Sequence, residues 1–339
     1  ALTSKDFRFK MRVWFLKETK TIDVDCGTGT NITLWTREDK VYRITPRQND
    51  AVNSCWMPDS HRLNYKYINA ETRIPQPVIR TDAEAPHRPS TWEPALASAA
   101  EAVKRIAPNQ LAIIASGRMT NEELYMVRHL AAQIGTDMVD IVPRMGESDG
   151  MLISADRNPN TNGARLVLDI EPGSKLDAIR EGVRSGSIKG ILSLGEDLIS
   201  PEAGFTAEDL DKLDYLFMTA HSANETARHA DLVLPGVTYA EKFGTMINVT
   251  GRIQRLNRAI QPIGYARDDW QIFRDITLLL GGNPALKDFN SALDILTAMS
   301  TEYGALNGVS WGSIGDGGQP ILETGVTIPV VEREKNQGR

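Results

Sequence analysis

Thiols are scarce in this chain: among 339 residues there are two cysteines, Cys26 and Cys55. Two in a chain this long do not make a disulfide scaffold, and they indicate a reducing compartment. Also missing is any apolar run of the roughly 18 to 20 residues that a membrane-spanning helix needs, so direct membrane insertion is not expected. Excess positive charge is absent too. Lys and Arg number 38 against 44 Asp and Glu, for a formal net charge of −6. Nucleic acid is therefore excluded as a partner, because phosphate backbones require clustered cations.

The common catalytic signatures are lacking as well. There is no Gly-rich dinucleotide fingerprint, no phosphate-binding loop and no Gly-x-Ser-x-Gly elbow. The five histidines, His61, His87, His129, His221 and His229, show no metal-ligand spacing. On these grounds no catalytic, cofactor-binding or metal-binding residue is assigned.

What remains is an ordinary globular composition, 41% hydrophobic and 24% charged, in a chain long enough for two or three domains. The first residue, Ala1, suggests a fragment of a longer protein. Residues 1–70 read as a small β-rich subdomain. Residues 6–16 alternate apolar and basic side chains as a strand would, and Asn31–Trp35 and Val41–Ile44 form a second strand pair. The proline-rich stretch 71–94 reads as a linker.

Residues 95–285 alternate helices and strands. Leu111–Ala115 is an apolar strand, and Thr120 with Glu123 opens the next helix as a capping box that Gly135 closes. Val139–Val142, Gly190–Leu194, Tyr215–Met218 and Asp231–Leu234 are further strands, separated by amphipathic helices. Strands this apolar on both faces indicate an α/β, doubly wound, parallel-sheet architecture, as one domain or two interleaved ones. Helices are expected over 268–280 and about 291–303. Within 286–339, the tail from Asn307 reads as mostly irregular and partly disordered.

In such sheets, ligands sit beyond the carboxyl ends of the strands. The turns Ser116–Glu123 and Gly195–Leu198 occupy those places, but Glu122, Glu123, Glu196 and Asp197 would repel a phosphate. An empty site is the expectation there, with Glu122 and Glu123 explained as acidic first-turn residues.

Four strings in the second half carry more specific information. Glu225-Thr-Ala227, Ala230-Asp-Leu-Val-Leu-Pro235, Glu241 with Gly244-Thr245 and Asn248, and Gly251-Arg252 with Gln254 resemble, in order and spacing, the molybdopterin oxidoreductase superfamily. Residues 20–65 resemble the iron–sulfur subdomain that opens those enzymes. On that pattern Asp23, Cys26, Thr30 and Pro58 fall at the four cluster-ligand positions. Proline offers no ligand, and a [4Fe–4S] centre is normally held by four thiolates. The resemblance thus implies a degenerate cluster domain without its cluster, in which Cys26 is a small buried side chain. Between Arg118 and Arg165 there is also no cysteine to ligate molybdenum or tungsten.

Ile22–Ile32, Leu152–Asn160 with Gly163, and Ile188–Asp197 narrow the branch, as does the segment 1–15. These resemble the G-type large iron–sulfur subunit of NADH:quinone oxidoreductase, respiratory complex I. The resemblance implies that one [2Fe–2S] and two [4Fe–4S] clusters lie in a portion preceding Ala1. It further implies that this segment is a cofactor-free, non-catalytic scaffold packed against that portion and against other peripheral-arm subunits, with the basic face of residues 8–12 as a contact. The implied location is the cytoplasmic face of a bacterial inner membrane, or the matrix side in a mitochondrion. The competing expectation is a formate-dehydrogenase-like enzyme using the crevice near Gly195 and Gly244. A nucleotide-binding module is the third.

Overall fold

The computed structural model describes residues 5–80 and 85–336. Three strands near the start, β1 (Lys17–Ile22), β2 (Asn31–Arg37) and β3 (Lys40–Pro46), form an antiparallel sheet in the order β1-β2-β3. Its apolar face, including Ile22, Ile32, Leu34, Val41 and Ile44, packs on Tyr239, Met246 and Leu256 from the second half. The β-unit is therefore fused to the motif-rich segment by a shared core.

Residues 6–16 are not a strand. They form turns and a 3-10 turn at Val13–Phe15. No strand among the described residues pairs with them, and the aromatics are organised by cations instead: Arg12 lies over Trp14 and Arg37 over Phe15. The first four residues of the segment 1–15 lie outside the described residues.

The large sheet has seven strands: β4 (Val78–Ile79), β5 (Arg88–Pro89), β6 (Leu111–Ala115), β7 (Val139–Ile141), β8 (Gly190–Leu194), β9 (Tyr215–Ala220) and β10 (Leu232–Pro235). Their order is β5-β4-β10-β9-β8-β6-β7, with β10 through β7 parallel and β4 and β5 antiparallel at one edge. The proline-rich stretch thus supplies two short edge strands, the position that tolerates Pro89.

Side-chain alternation divides the strands between two cores. Leu111, Ile113, Leu192, Phe217 and Leu232 meet helices over Trp92–Arg105, Asn121–Ile134, Asp269–Leu279 and Ala292–Glu302. Ala112, Ile114, Ile191, Leu216 and Val233 meet the helix Leu176–Ser185 on the opposite face. This is the expected α/β class with a mostly parallel sheet covered on both sides.

A third sheet joins β11 (Gly244–Ile247), β12 (Arg252–Leu256) and β13 (Gln319–Pro320) in antiparallel order. The tail is accordingly more ordered than its composition suggests. It contributes β13 and a helix, Pro329–Asn336, whose start buries Val330 and Val331 beside Val52 and Leu152.

Candidate functional site

Two places could carry chemistry: the loop after β1, and the crevice at the carboxyl ends of the parallel strands.

The loop 23–30 is held from behind by the turn between β11 and β12. Val249 N donates to Gly27 O at 2.8 Å, Asn248 Nδ2 to Thr28 O at 3.0 Å and Gln254 Nε2 to Gly29 O at 2.9 Å. A Cβ on Gly27 would come within 2.4 Å of Val249 Cγ1, so only glycine fits this approach. Asn248 and Gln254, which carry part of the family resemblance, therefore serve here with Val249 as a clamp on the loop.

Of the four positions that the resemblance aligns with cluster ligands, none presents a thiolate. Cys26 is fully buried, its Sγ lies 3.9 Å from Leu152 O, and burial, reinforced by the charge of Asp23, pushes the thiol pKa up. Thr30 is buried and its hydroxyl has no partner among the described residues. Pro58 is the residue preceding a short helix, Asp59–Leu63. Cys55 is exposed. With two cysteines in the sequence, the residues present do not fit a four-thiolate cluster.

That helix brings in a residue with no ligand spacing in the sequence. His61, three positions after Pro58, is buried, and its Nδ1 lies 2.6 Å from Asp23 Oδ2. Asp25 is close by, with Oδ1 accepting from Asn64 Nδ2 at 2.8 Å. Burial, then the charge of Asp23, pushes the Asp25 carboxyl up to about 7. Burial disfavours the His61 imidazolium, but the hydrogen bond and charge of Asp23 outweigh it and hold the pKa above the ordinary value. The histidine is invisible to a search for ligands at short spacing. The Asp23-x-Asp25 pair, read together with the fourth ligand region near Pro58, was the available signal.

The crevice lies where strand order reverses, between β6 and β8, the place where open α/β sheets bind ligands. Ser116 and Gly195 mark the ends of those strands, and Tyr67, Tyr239, Lys242 and Asp269 close over them. The cavity left is about 80 Å³, well below the roughly 300 Å³ of small-molecule sites. Gly195 belongs to it, whereas Gly244 is packed against Thr120, whose Cγ2 a Cβ would meet at 2.6 Å.

Several charged groups around the crevice are paired with one another, although Arg118, which also lines it, has no ion pair among the described residues. Lys242 Nζ is 2.8 and 2.7 Å from the two oxygens of Glu123, both side chains buried. Glu123 also completes the capping box with Thr120. Glu122 does not act simply as a first-turn charge: it accepts from Thr245 N and Oγ1, each at 2.8 Å, and burial pushes its pKa up to about 7. Glu196 is held by Arg144, and Asp197 accepts from Thr226 Oγ1 at 2.6 Å. Arg73 Nη2 is 2.6 Å from Glu241 Oε2, both almost wholly buried. Burial, then the charge of Glu123, pushes Asp269 up to about 7, and burial with Arg73, Lys242 and Arg118 pushes His221 down to about 4.

A larger cavity of about 320 Å³ lies beyond the end of β7. Its cations, Arg144 and Arg165, are held by Glu196 and Glu171, which leaves no free positive charge from these two for a phosphate.

This architecture is that of molybdopterin-type oxidoreductases. Residues 150–277 match the molybdopterin oxidoreductase family, and acetylene hydratase from Pelobacter acetylenicus superposes with a TM-score of 0.64 over 87% of this chain and 73% of that one, at 9% identity. Residues 16–66 match the NADH-ubiquinone oxidoreductase NDSU1/NuoG-like 4Fe-4S domain. Within the class, the chain is a relative of the G-type large iron–sulfur subunit of NADH:quinone oxidoreductase. It is 26% identical to the mitochondrial 78 kDa subunit of NADH-ubiquinone oxidoreductase from Candida albicans, over 86% of this chain and 56% of that protein. To the G-type subunit of NADH-quinone oxidoreductase from Rickettsia conorii it is 23% identical over 81% of this chain and 57% of that protein. A protein of Staphylococcus haemolyticus named as a formate dehydrogenase is 32% identical, but over 42% of this chain and 15% of that protein. The chain spans a little over half the length of the complex I relatives.

Proposed function

We propose that this chain is the scaffold portion of a peripheral-arm iron–sulfur subunit of NADH:quinone oxidoreductase, itself without a redox cofactor. The observation that carries the reading is the crevice: Tyr67, Tyr239, Lys242 and Asp269 close over the strand ends and leave only about 80 Å³ where a ligand would lie. The unsuitable donor set of the cluster loop supports it as well. In this reading Lys242–Glu123 and Arg73–Glu241 lock the sheet ends to the motif segment. The electron-carrying [2Fe–2S] and [4Fe–4S] clusters belong to a portion preceding Ala1, and the partners are that portion and neighbouring peripheral-arm subunits. The complex sits on the cytoplasmic face of a bacterial inner membrane, or the matrix side of the mitochondrial one. Among the described residues no helix is long and apolar enough to cross a membrane.

A second reading, a molybdopterin-dependent enzyme of formate-dehydrogenase type, draws on the 32% identical segment. Purification of the tagged chain from native membranes separates the two. NADH-dependent quinone reduction should accompany it. Formate-dependent dye reduction without NADH:quinone activity would overturn the scaffold reading.

A further inference from the structure

We propose that Asp23, Asp25 and His61 form a mononuclear site for a divalent d-block cation of the zinc type, at the locus of the degenerate cluster loop. One imidazole nitrogen and two carboxylate oxygens lie within 4.8 Å of one another. Four-coordinate zinc holds such atoms at about 2.0 to 2.2 Å from the metal, which places them about 3.3 Å apart. Rotamer-scale movements therefore suffice: the most distant pair closes, and His61 Nδ1 and Asp23 Oδ2 part from 2.6 Å.

The surroundings favour a cation. Among the described residues, the one ion-pair partner of the two carboxylates is His61; Arg118 and Arg157 act from farther off. Two buried or half-buried carboxylates with one histidine and no lysine or arginine at contact are a donor set that a dication can neutralise. Asn64 Nδ2 holds Asp25 Oδ1 at 2.8 Å, the kind of outer bond that orients a ligating carboxylate. Asp23 N bonds Thr30 O at 2.8 Å, and among the described residues the buried Thr30 hydroxyl of the same loop has no partner. Asp23 and His61 are 2% and 6% exposed, while Asp25 is half-buried, leaving one flank for entry and for a fourth ligand from water.

The donor set also selects the ion. Calcium and magnesium take six or more oxygens, whereas imidazole with carboxylate suits zinc, cobalt and nickel. Cys26 is engaged with Leu152 O and faces no role here. The inference does not depend on the scaffold reading.

The test uses the whole chain, stripped with a chelator and titrated with Zn²⁺ against a competing fluorescent chelator, with Co²⁺ as a spectroscopic probe. One zinc per chain is expected, with the visible bands of four-coordinate Co²⁺. Asp25→Asn and His61→Gln should each weaken binding at least tenfold, while the double variant Cys26→Ser/Cys55→Ser should not. Asp25→Asn keeps an oxygen for Asn64, so it should fold even if His61→Gln does not, as circular dichroism checks. Failure to bind zinc, or equal affinity in Asp25→Asn, would overturn the site. Loss confined to the cysteine variant would overturn it too.

Discussion

Glu122 and Glu123 are sequence neighbours with different duties, and each yields a measurable consequence. Glu122 has a carboxyl pushed up to about 7 by burial, against about 4.5 in an unfolded chain. Between those values the folded state keeps a proton that the unfolded state has released. Its stabilising contribution is therefore complete at low pH and is lost as pH rises through about 7. Asp269, also raised to about 7, acts in the same direction. Chemical denaturation should find the protein more stable at pH 6 than at pH 8. Glu122→Gln, which keeps an acceptor for Thr245 N, should flatten that difference, by on the order of 1 to 2 kcal/mol. An unchanged pH profile in the variant would count against the buried, protonated state. Glu123 is instead paired with Lys242. Lys242→Met strands that carboxylate and should cost about 3 to 5 kcal/mol, much of it recovered in the double variant with Glu123→Gln.

At the scale of elements, the turn at Gly251 joins the tail to the rest. Gly251 has φ +79°, and a Cβ there would approach Leu322 O to 2.2 Å. Ile321 N and Leu322 N both donate to Gly251 O, at 2.9 and 3.1 Å. Gly251→Ala should undock β13 and the helix that follows. Limited proteolysis should then cut within 315–325 much faster than in the parent chain, and equal rates would show that the tail is held elsewhere. This docking was hidden from the sequence because a short polar strand rich in neighbouring glycines has no periodicity of its own. The strands β6, β8, β9 and β10, by contrast, were legible as apolar runs, and the helix Asn121–Ile134 by its Thr120–Glu123 box and by Gly135 at φ +79°. Residues 6–16 alternate without forming a strand because no strand among the described residues pairs with them. The cluster of Asp23, Asp25 and His61 was illegible for a related reason: its members are brought together by the loop after β1 and a helix far along the chain, starting at Asp59.

Over the whole molecule, the β-unit, the parallel sheet and the motif segment meet at one small crevice. The β-unit lends Tyr67, the parallel sheet its strand ends, and the motif segment Tyr239 and Lys242. In the proposed scaffold, the ion pairs Lys242–Glu123 and Arg73–Glu241 beside this crevice hold the sheet ends to the motif segment. The most direct measurement is elemental mass spectrometry of the purified chain for iron, molybdenum and tungsten, together with its visible spectrum. The scaffold account predicts a colourless protein with none of the three at stoichiometric level, while a bound zinc would leave it unaffected. Stoichiometric molybdenum or tungsten, or four irons per chain with a cluster absorption, would contradict it.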